Sequence, residues 1–322
     1  METIKRIKNL GLSLMLLAVL GWLSFGLTGC ITVDKGHQME GVDEIPQNQV
    51  SSGADDILFS QKLPEMTADE YEMLGDALLK KGDLHLAFLQ YDRSLKLNPN
   101  NVRVEYKKGL AFLMGKKTDD AIEQFNLVLE KDSDYAPAYE GLGRAFFQKK
   151  DFKKAEKHFR MTLERDPKLW RSHNFLGNIY DSQKNYKNAV REYTAALRIQ
   201  PKLGLLYNNL GVSYFLAGKY DTAVKAFNQA LAAQYTKSKV YNNLGLALAH
   251  LERYAQALEA FKMGGGEARA YNNLGCIFLS MGRNKEAVQY FEKAIEIDPV
   301  FYSKAGENLD RANKGLGYQK LN

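Results

Sequence analysis

Three copies of Tyr-Asn-Asn-Leu-Gly, at 207–211, 241–245 and 271–275, set six asparagine carboxamides along the chain. A carboxamide both donates and accepts, so a row of them grips a peptide backbone without reading its side chains. Paired asparagines are also mediocre helix formers, so their recurrence needs a reason beyond local structure. The remaining reactive side chains point away from catalysis. His37, His85, His158, His173 and His250 are scattered without metal-ligand spacing, and the chain lacks a phosphate-cradling loop, a dinucleotide fingerprint and a nucleophile elbow. Cys276 stands in an apolar helical stretch and reads as a small packing residue, not a nucleophile. The expectation is a protein that binds and does not catalyse, with no metal and no cofactor.

The elements that position these residues follow from a repeat. Glycine recurs every 34 residues at 75, 109, 143, 177, 211 and 245, and then after 30 at 275. Twelve residues after each comes alanine (87, 121, 155, 189, 223, 257, 287), and four further an aromatic (91, 125, 159, 193, 227, 261, 291). Apolar positions keep helical spacing in two stretches per unit, divided by turn residues such as Gly82-Asp83, Lys184-Asn185 and Gly218-Lys219. Small residues sit where two helices cross, the aromatic fills the space they leave, and Pro99, Pro167, Pro201 and Pro299 stop second helices from continuing. The 322 residues are 45% hydrophobic and 25% charged, enough for a core. The formal net charge of +6 falls to +4 without Lys5, Arg6, Lys8 and Glu2, too weak a field to imply nucleic acid.

This Gly, Ala, aromatic and Pro pattern resembles the tetratricopeptide repeat over 68–301. The resemblance implies an all-α fold, a right-handed superhelical solenoid of seven helix-turn-helix units (68–101, 102–135, 136–169, 170–203, 204–237, 238–267, 268–301). A capping helix and tail follow over 302–322, where Ala305, Leu309 and Ala312 keep helical spacing. The second unit carries Glu105 and Lys108 where others have Tyr and Leu, so its first helix is expected to pack least well. The sixth is four residues short and ends in Gly264-Gly265-Gly266, so its second helix is expected to lose about one turn, roughly 6 Å, with a bend or hinge there. In the family the first helix of each unit lines the concave groove. Asn209, Asn243 and Asn273 then fall on that groove, with Asn178, Arg144, Arg171, Lys239 and Arg269 nearby. First helices roughly 10 Å apart match an extended ligand about once every three residues. Two other readings stay open: a hydrated consensus face, or amides that brace neighbouring repeats. Asn178, Asn209 and Lys239 also match the layout of family members that clamp a C-terminal carboxylate, but Asn174 and Asn243 replace the Lys and Arg of that clamp.

At the N-terminus Lys5, Arg6 and Lys8 precede an apolar run, 10–27, that ends in Leu27-Thr28-Gly29-Cys30. This resembles the lipobox of bacterial lipoproteins, which implies a signal peptide over 1–29 and lipid on Cys30; an uncleaved membrane anchor is the alternative. Once Cys30 carries lipid, Cys276 is left without an intrachain disulfide partner. Residues 30–67 read as a flexible, acidic tether. Lipobox, repeat number and the shortened sixth unit together resemble the tetratricopeptide lipoproteins of tight-adherence (Flp) pilus assembly. That resemblance implies an extracytoplasmic scaffold that binds extended segments of partner proteins in assembling or localising a pilus or secretion machine. With Ile31 after the cysteine, it implies the outer membrane, facing the periplasm. An adaptor for cell-wall hydrolases or other envelope complexes is the alternative.

Overall fold

The computed structural model describes residues 66–299 and 302–317. The leader, Cys30, the tether up to residue 65 and the tail from 318 lie outside the described residues. Among the described residues there are fifteen α-helices and no strand. They divide into two compact units at Pro201/Lys202.

The first unit holds α1 (Ala68–Lys81), α2 (Leu84–Leu97), α3 (Val102–Met114), α4 (Thr118–Lys131), α5 (Ala136–Gln148), α6 (Phe152–Arg165), α7 (Trp170–Ser182) and α8 (Tyr186–Ile199). The second holds α9 (Gly204–Leu216), α10 (Tyr220–Ala232), α11 (Ser238–His250), α12 (Tyr254–Gly265), α13 (Glu267–Ser280), α14 (Asn284–Ile297) and α15 (Tyr302–Gly315). Helices pair consecutively, four pairs in the first unit and three plus α15 in the second, one pair to each predicted repeat.

Local chemistry sets the ends. Thr67 opens α1 with a capping box: its side chain accepts from the Glu70 amide and the Glu70 carboxylate accepts from the Thr67 amide. Asp151 and Asn185 cap α6 and α8 through the amides of Lys154 and Asn188. Pro99, Pro167, Pro201 and Pro299 each stand two residues beyond a second helix. Every turn within a pair contains one residue in the left-handed region: Gly82, Lys116, Lys150, Lys184, Gly218, Glu252 and Gly282. Three of these are the glycines that conformation favours; four are not.

The crossing of each pair is close. The seven alanines of the series are fully buried and the seven aromatics are at most 1% exposed. A Cβ added to any of the seven glycines would meet the pair's own aromatic ring at 2.5 or 2.6 Å, closer than carbon atoms pack. Glycine is therefore a steric requirement inside these helices, despite its low helix propensity.

Of two expectations about irregular repeats, one holds and one changes: the first helix of the second repeat packs on its partner least closely of the seven pairs. In the second, Glu105 pairs with Lys131 and accepts from Gln124, while Lys108 pairs with Asp92 at 3.3 Å and lies over the Phe88 ring. Both charges that replace Tyr and Leu are thus paired, without restoring the packing seen elsewhere. In the sixth, α12 has 12 residues against the 13 or 14 of the other second helices, and Gly264 and Gly265 remain helical. The shortening falls on the connection: residues 233–237 join α10 to α11, but Gly266 alone, at φ 86° and ψ 169°, joins α12 to α13. The helix loses less than a turn, because the loop absorbs most of the deletion. The capping helix closes the second unit with Ala305 and Ala312 fully buried.

Candidate peptide-binding face

The asparagine pairs lie on α9, α11 and α13, the first helices of three successive repeats of the second unit. Asn208, Asn209, Asn243, Asn272 and Asn273 are buried, and Asn242 is half-buried. They form a partial ladder. Asn243 Nδ2 donates to Asn208 Oδ1 at 3.4 Å, and Asn208 Nδ2 donates to its neighbour Asn209 Oδ1 at 3.3 Å. At the far end Asn308 Nδ2, on α15, donates to Asn272 Oδ1 at 3.1 Å. The second asparagine of one repeat thus donates to the first asparagine of the repeat before it. Between α11 and α13 that rung is missing: Asn242 Oδ1 is buried without a hydrogen-bond partner among the described residues. It lies against Gly264, where an added Cβ would come within 2.7 Å of it. The break coincides with the short connection at Gly266. Asn209, Asn243 and Asn308 also have bonding partners beyond these amides.

Cys276 shares this face. It is buried, and Asn308 Nδ2 approaches its sulfur to 3.5 Å. Cys276 is disulfide-bonded. The only other cysteine, Cys30, lies outside the described residues. Of the predicted cations, Lys239 lies over the Tyr235 ring at 5.6 Å, and Arg269 is exposed. Arg269 borders a recess of about 310 Å³ with Gly266, Glu267, Ile297 and Asp298.

The other predicted residues belong to the first unit. Arg144 is buried on α5 and Arg171, on α7, lies 4.8 Å over the Trp170 ring. Both flank Glu140, a buried carboxylate that accepts from Ser172 Oγ at 3.3 Å. Burial pushes the Glu140 carboxyl above its ordinary value, against the pull of Arg144, Arg171 and the Ser172 hydroxyl. Asn178 is not available as a lone groove amide: its Oδ1 accepts from the Tyr193 hydroxyl at 2.6 Å. Within the first unit, α1 and α3 are joined by charge. Glu72 accepts from Arg103 at 2.7 Å and Lys107 at 2.6 Å, and Lys107 also reaches Asp76 at 2.6 Å. Burial would raise the Glu72 carboxyl, but the hydrogen bonds from Arg103 and Lys107 hold it below its ordinary value.

Sequence reading named the second asparagine of each pair and passed over Asn208, Asn272 and Asn308, which carry the bonds between helices. Asn308-Leu309 in α15 preserves the Asn-Leu of the pentapeptide, the signal that could have found it. Glu140, at the position that Asn208 occupies in its repeat, was also missed.

The arrangement is a series of helix pairs presenting buried amides and paired charges on their first helices, with no His, Cys, Asp and Glu group fit to hold a metal among the described residues. Three models of the tetratricopeptide repeat match the chain, at 72–137 and 117–169, at 169–236 and 203–264, and at 268–301. The chain belongs to the tetratricopeptide-repeat family. It is 30% identical over 73 residues to human Superkiller complex protein 3, which covers 23% of this chain and 5% of that protein's length. Among solved structures, the APC/C hetero-tetramer Cut9-Hcn1 superposes with a TM-score of 0.56 at 21% identity, over 76% of this chain and 49% of that one. Pseudomonas aeruginosa pilF superposes with a TM-score of 0.50 at 22% identity, over 62% of this chain and 92% of that one. These two likenesses show the fold.

Proposed function

We propose that this chain is a lipid-anchored, extracytoplasmic scaffold that holds extended segments of partner proteins on the asparagine face of its second unit. The observation that carries the reading is the register of α9, α11 and α13, which repeats the same two carboxamides on three neighbouring helices. Such amides bond a partner's backbone and tolerate its side chains. The anchor rests on Leu27-Thr28-Gly29-Cys30, and the cell-envelope setting, at the outer membrane, on that leader and Ile31. Assembly or localisation of a pilus or secretion machine is the role favoured by the combination of lipobox, seven repeats and shortened sixth repeat.

Replacing Asn209, Asn243 and Asn273 together by Ala tests the face. Three lost hydrogen bonds at about 0.5 to 1.5 kcal/mol each reduce affinity roughly ten- to a thousandfold. Pull-down from envelope extract, beside a melt of parent and variant, separates this from bracing. A folded variant that recovers the same partners in the same amounts refutes the proposed face. For the anchor, Cys30→Ser abolishes labelling by a radioactive fatty acid; equal labelling of both chains refutes lipidation.

A further inference from the structure

We propose that the cluster around Glu140, in the first unit, is a separate binding site that takes the carboxylate of an acidic side chain from a partner protein and holds it on Arg144 and Tyr106. The site does not depend on the asparagine face. It rests on a buried charge that the fold leaves without a partner.

Arg144 is 8% exposed, and among the described residues its guanidinium makes no hydrogen bond and no ion pair. Glu140 stands one turn before it on α5, at the spacing from which helical ion pairs form, yet it accepts from Ser172 Oγ at 3.3 Å and from neither arginine. Arg144 and Arg171 act on that carboxylate through space alone. Buried charges are otherwise paired, because an unpaired one loses its hydration uncompensated.

The first repeat supplies the contrast. Glu72 and Glu140 hold the same position in their repeats, and Arg103 and Arg171 each follow by 31 residues. At Glu72 the arginine closes on the carboxylate at 2.7 Å and Lys107 joins it at 2.6 Å. Beyond Glu140, Arg171 lies over the Trp170 ring and Phe175 takes the place of that lysine. The register that seals one carboxylate with cations leaves the other open, with Arg144 added beside it.

Tyr106, on α3, supplies a further donor. Its ring is fixed 5.7 Å from Phe125 and 5.6 Å from Tyr135, and its hydroxyl has no hydrogen bond among the described residues. Burial, then the Glu140 charge, raises that hydroxyl above its ordinary value, so it keeps its proton and donates.

A guanidinium offers donors only, and with a phenol beside it the matching ligand is an oxyanion. Arg144 lies nine-tenths beneath the surface. The carboxylate therefore has to arrive on a stem, which an Asp or Glu side chain has and a chain terminus lacks. Ionised Glu140 would repel it. Burial already pushes the Glu140 carboxyl up, with Asp166 adding to the rise, against Arg144 on α5 and Arg171 and Ser172 on α7. A second carboxylate pushes it further, so Glu140 takes up a proton and donates it to the incoming oxygen. Binding then strengthens as pH falls.

Fluorescence anisotropy with the full chain in detergent tests this, using a labelled peptide blocked at both ends in which glutamate alternates with serine. Arg144→Met keeps the stem and removes the charge, so it should weaken binding at least about tenfold while leaving Tm unchanged or higher. Tyr106→Phe should weaken binding roughly threefold. Between pH of about 7.5 and about 5.5 the parent should gain roughly three- to tenfold in affinity, and Glu140→Gln should bind more tightly at the upper pH and lose that dependence. Two control peptides, one with glutamine for glutamate and one that adds to it a free C-terminal carboxylate, should bind at least about tenfold more weakly. The chain with Asn209, Asn243 and Asn273 replaced by Ala should bind the acidic peptide as the parent does. No binding by the parent overturns the proposal, as do equal binding or a lower Tm in Arg144→Met, a flat pH profile, or undiminished binding of either control peptide. Loss of binding in the triple-Ala chain also overturns it, because the peptide would then sit on the second unit.

Discussion

Gly177→Ala is the sharpest probe of how these repeats are built. In an exposed helix the change gains about 1 kcal/mol of propensity. Here the new Cβ would stand 2.5 Å from Tyr193 Cε1 and 2.7 Å from Cζ. The ring is 1% exposed, and its single hydroxyl proton is shared between Asn178 Oδ1 at 2.6 Å and Asp181 Oδ2 at 3.0 Å. Retreat of the ring therefore breaks bonds. Overpacking costs about 1 to 3 kcal/mol, and a hydrogen bond to a charged acceptor about 1.5 to 3. Less the propensity gain, the balance is a loss of roughly 1.5 to 5 kcal/mol, a fall in Tm of roughly 5 to 15 °C for a chain of this size. A double-mutant cycle with Tyr193→Phe, followed by circular dichroism during thermal unfolding, isolates the hydroxyl. Freed of its two acceptors, the ring yields more easily, so Gly177→Ala should cost less in the Tyr193→Phe background. If Gly177→Ala melts at or above the parent, or costs the same in both backgrounds, the account of a pinned ring against a bare helix is wrong.

Ala189→Leu and Ala223→Leu place four-carbon side chains where the alanines are fully buried, and each should cost about 1 to 3 kcal/mol in chemical denaturation. His158 stacks on Phe146 with ring centroids 5.3 Å apart, and its Nδ1 is buried without a partner among the described residues. Burial, then Lys157 and Lys154, hold its imidazole below the ordinary value, so the unfolded chain binds the proton more readily. Stability should therefore fall as pH drops through about 6.5, and His158→Phe should flatten that part of the Tm profile; an unchanged profile rejects the assignment.

What could be read from sequence was whatever repeats. The glycine, alanine and aromatic series fixed seven helix pairs, because each residue type has one steric role at a fixed place in the crossing. Contacts between neighbouring first helices were harder to foresee, since they depend on how far one pair is displaced from the next. That is why the pairing of Asn243 with Asn208, the charges around Glu140 and the closure of Glu72 by Arg103 and Lys107 emerged only in three dimensions. The deletion in the sixth repeat was visible, but counting residues could not tell a lost helical turn from a lost loop.

Lys116, Lys150, Lys184 and Glu252 occupy exposed turn positions with φ near 60°, where the other three repeats use glycine. An L side chain there carries a steric penalty of about 1 to 2 kcal/mol, larger than glycine's own entropic cost of about 0.5 to 1. The chain thus holds a reserve of stability it does not draw on, four independent adjustments repeated along its length. Changing them one at a time to glycine would raise the array's resistance to unfolding in steps without altering any first-helix asparagine. The same steps would show whether partner capture depends on a rigid array or on one that yields.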